Sequence, residues 1–370
     1  MNIRHLLKRG LRNALLSVGL SAALSATAAE TLAAETLTVD ADGTIHVDGL
    51  SVPVSDLLSP EARAIQAARL VQPPAPVLRE DGVPTARIAT DKFQKMIAQQ
   101  WLARYPARIE TVTMNGVRTD VVTPDAGIAP ENQHRVLINL HGGGFFAGAV
   151  SGGLAEAVPV AGRGRIKVVT VDYRLAPENR FPAASEDVEH VYRALLTRYK
   201  PAEIGLYGCS AGGTLVAQSV AWFQSRHLPP PGAIGVFCSG AMPGFWYGGD
   251  SFATTQMMNA RLQATDDDMR DGAGSLYLAG RNQDDPLVTP ALFPQVLAKF
   301  PPTLLITSTR DSAMSNVLVT NARLLAAGVE TQLFVQEGLG HGEFNYVVGS
   351  PEAAQAYDVI WRFFDKHLAR

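Results

Sequence analysis

Cysteine is scarce in this chain. Only Cys209 and Cys238 occur in 370 residues, so a scaffold stapled by disulfides is excluded. Both fall near the ends of strands expected to be neighbours. One bond between them is conceivable; the plainer reading is two buried thiols acting as small apolar side chains. An excess of one charge is also lacking. Lys and Arg total 32 against 35 Asp and Glu, a net charge of −3. The basic residues form no stripe, which argues against a nucleic-acid partner. Beyond the first 28 residues no apolar run is long enough to cross a membrane as a helix. Internal repeats and low-complexity tracts are absent too.

The first 28 residues have a layout of their own. Arg4, Lys8, Arg9 and Arg12 make a basic start, an apolar run follows from Ala14 to about Leu24, and Ala26-Thr27-Ala28 offers a cleavage site. This pattern predicts a secretory signal peptide over 1–28, and hence a periplasmic or secreted protein with no stable membrane anchor after cleavage. The alternative is an uncleaved N-terminal anchor, but the run is short and carries Ser and Gly. No Cys follows it, so a lipid anchor is not indicated.

What the chain has is alternation. Residues 29 to 60 are polar, weakly patterned and read as a loose arm. Helical patterns follow at Pro60 to Leu70 and Thr90 to Tyr105, separated by a link rich in proline. Arg108 to Met114 and Val117 to Thr123 alternate apolar with polar residues around Asn115-Gly116, a type I′ hairpin signal. Strands and helices then take turns to the last helix, Pro351 to Ala369. Eight strands result, the first two a hairpin and the rest joined by crossovers, in an α/β sheet covered on both faces. The interval from Gly240 to Ala298 holds no obvious strand and is rich in Met and aromatic residues. An interval of that length reads as a functional insertion, of the kind that forms lids. The expected division is 1–28, an arm with helices over 29–107, and a catalytic domain over 108–370 with an insertion at about 240–298.

The chemistry is concentrated in a few short motifs. Gly208-Cys209-Ser210-Ala211-Gly212 fits G-x-S-x-G. A strand-like run leads in and a helix-competent run leads out, so a tight turn would lift Ser210 Oγ clear of the sheet. Alone this motif is a weak signal. It gains weight from His141-Gly142-Gly143-Gly144, which ends a buried strand. With no side chains on the glycines, the N–H groups of Gly142, Gly143 and Gly144 can face outward and, with that of Ala211, hold a developing oxyanion. A phosphate loop is the poorer reading, because no Lys-Ser/Thr follows the glycines. Serine chemistry also needs a base and an acid to orient it. Of eight histidines, His341 follows the last strand in a Gly-rich loop. Asp311 follows the penultimate strand, 30 residues before His341. Asp311 also suits a helix N-terminus, and the two roles can coexist. Asp284 and Asp285 are rivals for the acid, but they precede Pro286 and suit a turn.

His141-Gly142-Gly143-Gly144-Phe145, Asp172-Tyr173-Arg174-Leu175-Ala176-Pro177-Glu178, Phe181-Pro182-Ala183-Ala184 and Gly208-Cys209-Ser210-Ala211-Gly212-Gly213 occur in this order. Together they resemble the hormone-sensitive-lipase family of α/β-hydrolases, from about Arg108 to the end of the chain. The resemblance implies an α/β-hydrolase fold with a mostly parallel eight-stranded sheet flanked by helices. It also implies a helical cap partly built from N-terminal helices. The implied activity is carboxylesterase on short to medium acyl chains, with Gly143, Gly144 and Ala211 as the chief oxyanion donors. Tyr173, Arg174 and Glu178 would brace the loop near the glycines. The chain departs from the family at Cys209, where Asp or Thr is common. The expected enzyme is thus a serine esterase acting on a small ester or lactone through Ser210, Asp311 and His341, without metal or cofactor. A ligand-binding protein on a dead hydrolase scaffold commonly loses the base, which is present here. A peptidase would call for a gating domain. The oligomeric state is not legible.

Overall fold

The computed structural model describes residues 37–47, 50–72, 78–243, 249–258 and 273–369. The expected signal at 1–28 lies outside them, as do Phe245, Trp246 and Tyr247 of the insertion. The described part belongs to one compact unit, 36–370.

The stretch read as a loose arm carries structure. β1 (Leu37–Val39), β2 (Ile45–Val47) and β3 (Leu50–Val52) form a small antiparallel sheet. α1 (Pro60–Leu70) follows, with Ser59 accepting from the Ala62 amide and Pro60 in its first turn, both strong start signals. α2 (Val83–Arg104) begins seven residues before the expected start. Pro84 sits in the first turn of α2, where its missing N–H is harmless.

β4 (Ala107–Met114) and β5 (Val117–Pro124) form the hairpin, with Met114 opposite Val117. Asn115 and Gly116 both have positive φ, 47° and 89°, as a type I′ turn requires. Next come β6 (Val136–Leu140), α3 (Ser151–Gly164), β7 (Lys167–Val171), α4 (Ala183–Leu196), β8 (Ile204–Cys209), α5 (Ala211–Ser225) and β9 (Ala233–Phe237). The insertion contributes α6 (Asp250–Met258) and α7 (Ala273–Leu278). The chain closes with β10 (Thr303–Arg310), α8 (Met314–Ala326), β11 (Thr331–Gly340) and α9 (Pro351–His367).

The large sheet has eight strands in the order β11-β10-β9-β8-β6-β7-β5-β4. β4 and β5 run antiparallel to their neighbours and the others are parallel. Every residue of β6, β8 and β9 is buried, which explains their unbroken apolar runs. One face of the sheet packs on α4, α5 and α8. The other packs on α3 and α9, and Ala62, Leu70, Ile97 and Trp101 of α1 and α2 join that same cluster. The N-terminal helices are therefore continuous with the hydrolase core.

α3 had no counterpart among the expected elements. Gly152, Gly153, Gly162, Gly164 and Pro159 are poor helix formers, so the stretch carries little local helix signal. The glycines serve close packing: a Cβ on Gly153 would come within 2.8 Å of Thr170, and one on Gly162 would strike the Tyr105 ring.

Candidate active site

Ser210 sits between β8 and α5 with φ 59° and ψ −123°. A non-glycine residue held there is strained, and the neighbours show what maintains the strain. A Cβ on Gly208 or Gly212 would run into the Leu140 carbonyl of the adjacent strand. Both flanking glycines are thus dictated by close approach. The Ser210 amide donates to the Phe237 carbonyl at 2.8 Å, anchoring the turn to β9.

His341 reaches this turn from the end of β11. Its Nε2 lies 2.8 Å from Ser210 Oγ, and its Nδ1 lies 2.7 Å from Asp311 Oδ1. β10 and β11 are neighbours, and a register shift between Ser308 and Arg310 sets Arg310 opposite Gly340. The residues just past each strand end therefore meet. Asp311 is fully buried. Its Oδ1 also accepts the Ala313 amide at 2.8 Å, and its Oδ2 accepts the Thr307 hydroxyl at 3.0 Å. Asp311 thus ties the start of α8 and touches His341 at once. Asp285, the rival carboxylate, accepts the Leu287 amide in a turn.

The glycine loop divides its three amides. The Gly142 N–H donates to Glu156 Oε1 at 2.8 Å. It is occupied, so the expected set of four oxyanion donors narrows to Gly143, Gly144 and Ala211. Gly143 and Gly144 have φ of 117° and 60°. Side chains seldom adopt those values, and they turn the loop back on itself. The Phe146 and Ala147 amides close that turn on the Gly143 carbonyl, at 3.1 and 3.0 Å.

Several side chains brace the loop. Tyr173 donates its hydroxyl to the His141 carbonyl at 2.7 Å and stacks on the His141 ring at 4.2 Å. Burial holds the His141 imidazole below its ordinary pKa and pushes the Tyr173 phenol well up, so both are neutral. Arg87 of α2 was missed by sequence reasoning. It donates to the Phe146 carbonyl at 2.6 Å and the Ala176 carbonyl at 2.7 Å, and it pairs with both Glu178 oxygens. That bidentate hydrogen bonding draws the Glu178 carboxyl down to about 2. Nothing local links Arg87 to Glu178, 91 residues away, so only tertiary structure reveals the pair. Arg174 does not reach the glycines. It holds Asp187 and Glu186 at the start of α4.

A cavity of about 440 Å³ lies over Ser210. Thr90, Phe93 and Gln94 of α2 line it, facing Phe146 of the glycine loop and Tyr346. Of the N-terminal helices and the insertion, both expected to contribute to a cap, α2 alone lines this cavity among the described residues. Tyr277 is fully buried, stacking on Phe145 at 4.3 Å, and Met242 and Phe252 are buried as well. Trp101 likewise packs inside, against Tyr357 at 5.2 Å. Cys209 and Cys238 are buried free thiols. Their mutual hydrogen bond raises Cys209 far above the thiol range, and burial raises Cys238. Among the described residues no group of three or more His, Cys, Asp or Glu side chains could hold a metal ion, and no helix is long and apolar enough to cross a membrane.

A profile of the α/β-hydrolase fold matches residues 137–345. An esterase of Acinetobacter venetianus is 33% identical over 129 residues, which is 34% of this chain and 41% of that protein. A carboxylesterase of Mycobacterium tuberculosis is 29% identical over 60% of this chain and 70% of its own length. Among solved structures, an esterase superposes with a TM-score of 0.77 at 29% identity, over 86% of this chain and 98% of its own. An esterase of the bacterial hormone-sensitive-lipase family does so with 0.64 at 25%, over 79% of this chain and all of its own. The fold and site define a hydrolase with a serine on a strained strand-to-helix turn. The chain belongs to the α/β-hydrolase family, in its hormone-sensitive-lipase branch, and is a carboxylesterase.

Proposed function

We propose that this carboxylesterase cleaves short to medium acyl esters with Ser210 as nucleophile, His341 as base and Asp311 as the residue that orients it. The observation that carries this reading is the hydrogen-bonded chain Ser210 Oγ–His341 Nε2 at 2.8 Å and His341 Nδ1–Asp311 Oδ1 at 2.7 Å. Ser210 Oγ attacks the ester carbonyl carbon and its proton passes to His341 Nε2. The carbonyl oxygen becomes an oxyanion and takes hydrogen bonds from the Gly143, Gly144 and Ala211 amides. Each such donor is worth roughly 3 to 4 kcal/mol in the transition state. Collapse breaks the bond to the leaving oxygen, which receives the proton from His341 and departs as the alcohol. Water, deprotonated by the same nitrogen, then attacks the acyl-enzyme, releasing the acid and restoring Ser210. Buried Asp311, accepting from His341 Nδ1, selects the tautomer that leaves Nε2 free to accept.

The 440 Å³ cavity supports a small acyl group: acetyl to hexanoyl chains fit, and palmitoyl does not. Opening a lactone would use the same steps. A panel of p-nitrophenyl esters and lactones separates the two substrate classes. Labelling with a small fluorophosphonate tests the nucleophile, and an adduct on any residue but Ser210 sinks the assignment. The N-terminal pattern supports export, so the enzyme would act in the periplasm or outside the cell. Sequencing the N-terminus of protein recovered from those fractions tests this, with Ala29 expected first.

A further inference from the structure

Glu156 takes no part in the proton path from Ser210 to Asp311, yet it lies under both reacting loops. It projects from α3 and is 7% exposed, among apolar side chains. Its Oε1 accepts the Gly142 amide at 2.8 Å and its Oε2 accepts the Asn139 side-chain amide at 3.0 Å. Gly142 in turn packs closely on the turn that holds Ser210: a Cβ on it would lie 3.0 Å from the Cys209 carbonyl oxygen and 3.4 Å from Ser210 Cβ. Gly142 immediately precedes the oxyanion glycines and Cys209 immediately precedes Ser210. We propose that Glu156 is a positioning residue: by holding the Gly142 amide, its carboxylate keeps the glycine loop in register with the nucleophile turn on which Gly142 packs. This rests on the reading of Ser210 as nucleophile.

Chemistry explains why a carboxylate suits the place. An N–H donor faces each carboxyl oxygen, and only the ionised form offers acceptors alone. Its hydrogen bonds are charge-assisted and shorter than neutral ones. A protonated carboxyl would aim its own hydrogen at a donor and break a contact, unless the Asn139 amide turned over. The Asn139 Oδ1 is buried without a hydrogen-bond partner, so it could take that hydrogen. The two forms therefore differ at the clamp: the ionised one takes charge-assisted bonds from Gly142 and Asn139, whereas the neutral one loses that assistance and must turn the Asn139 amide over to keep its contact. Burial, opposed by the hydrogen bonds it accepts, pushes the Glu156 carboxyl up to about 7. Titration then falls inside the working range of an esterase. The other titratable groups that interact with Glu156 are Tyr173, Tyr207, Cys209, Cys238, Tyr346 and Tyr357, and His341 lines the same cavity. The four phenols and two thiols are all raised and stay neutral. His341 carries the reaction's own proton.

The test compares wild type with Glu156→Gln, which keeps the shape and one acceptor but not the charge. Both are assayed on p-nitrophenyl acetate and butyrate from pH 5 to 9, with melting curves and fluorophosphonate labelling alongside. The expected result is a kcat lowered roughly 10- to 100-fold with KM within twofold, since losing a whole oxyanion donor lowers kcat by about 10² to 10³. The wild-type kcat/KM should rise through two ionisations and that of E156Q through one, with melting temperature maintained. Wild-type levels of kcat and an unaltered profile in E156Q would overturn the proposal. So would a loss of activity that tracks a fall in melting temperature. The wild-type profile decides the matter even if E156Q does not fold, because a single ionisation there excludes the switch. A wild-type label on a residue other than Ser210 sinks the nucleophile reading and this proposal together. A label on Ser210 with an unaltered E156Q sinks this proposal alone.

Discussion

Ser210, His341 and Asp311 meet through two strand ends and one strained turn, and each has a distinct vulnerability. Ser210→Ala should lower kcat on the order of 10⁶ without altering the circular dichroism spectrum, because members of such a unit fail together. More than a few per cent of residual activity would contradict the assignment. Asp311→Asn should lower kcat by about 10⁴, because an amide in that place favours the wrong imidazole tautomer. Asp285→Asn is the control. Asp285 bonds only within its turn, so its loss should leave kcat near wild type. The reverse pattern would move the acid to Asp285. These three positions were legible because G-x-S-x-G and a His after the last strand carry short-range signals. Glu156 and Arg87 were not. Their partners lie on other elements, and neither sits in a recognisable motif.

Of the two segments expected to form a cap, α2 is the one that lines the cavity over Ser210 among the described residues. Phe93 is 42% exposed, packs edge-on against Tyr346 at 5.1 Å and lines the cavity beside Ser210. Phe93→Ala should enlarge the acyl space and move the preferred chain length upward by about two carbons. Each added methylene gains at most about 0.8 kcal/mol while it remains buried. The wild-type profile should therefore climb by up to about fourfold per carbon and then drop. Measuring kcat/KM from p-nitrophenyl acetate to palmitate checks both statements. An unchanged optimum in Phe93→Ala, or palmitate as the best wild-type substrate, would remove α2 from the acyl site. Helix limits followed local chemistry where caps were present, as at Ser59 and Ser350, each accepting an amide of the first turn. They failed at α3, where glycine is selected by the closeness of Thr170 and Tyr105.

For the molecule as a whole, the burial of Glu156 couples stability to pH. Its folded pKa of about 7 stands above the ordinary 4.5. The folded state therefore binds the proton more tightly than the unfolded chain. Stability from this group is fully present below about 4.5 and is lost as pH rises through about 7. The loss is about 3 kcal/mol, the size of that shift in free energy. Urea unfolding of wild type and E156Q at pH 5, 6, 7 and 8 should show curves that diverge by this amount, wild type falling more steeply. Parallel curves would mean that Glu156 ionises as freely as in solution.

The amino-acid sequence by itself determined the eight-strand alternation, the hairpin at Asn115-Gly116 and the candidates Ser210, His341 and Asp311. Each depends on a periodicity, a turn residue or a motif within a few neighbours. Tertiary structure alone decided which backbone amides remain to receive an oxyanion, because Glu156 from α3 occupies Gly142. It also decided that α2 lines the cavity over Ser210, and that Gly-rich α3 is a buried helix. The physical reason is common to all three. Hydrogen-bond pairing and close packing between elements depend on distances in space, which sequence separation does not encode.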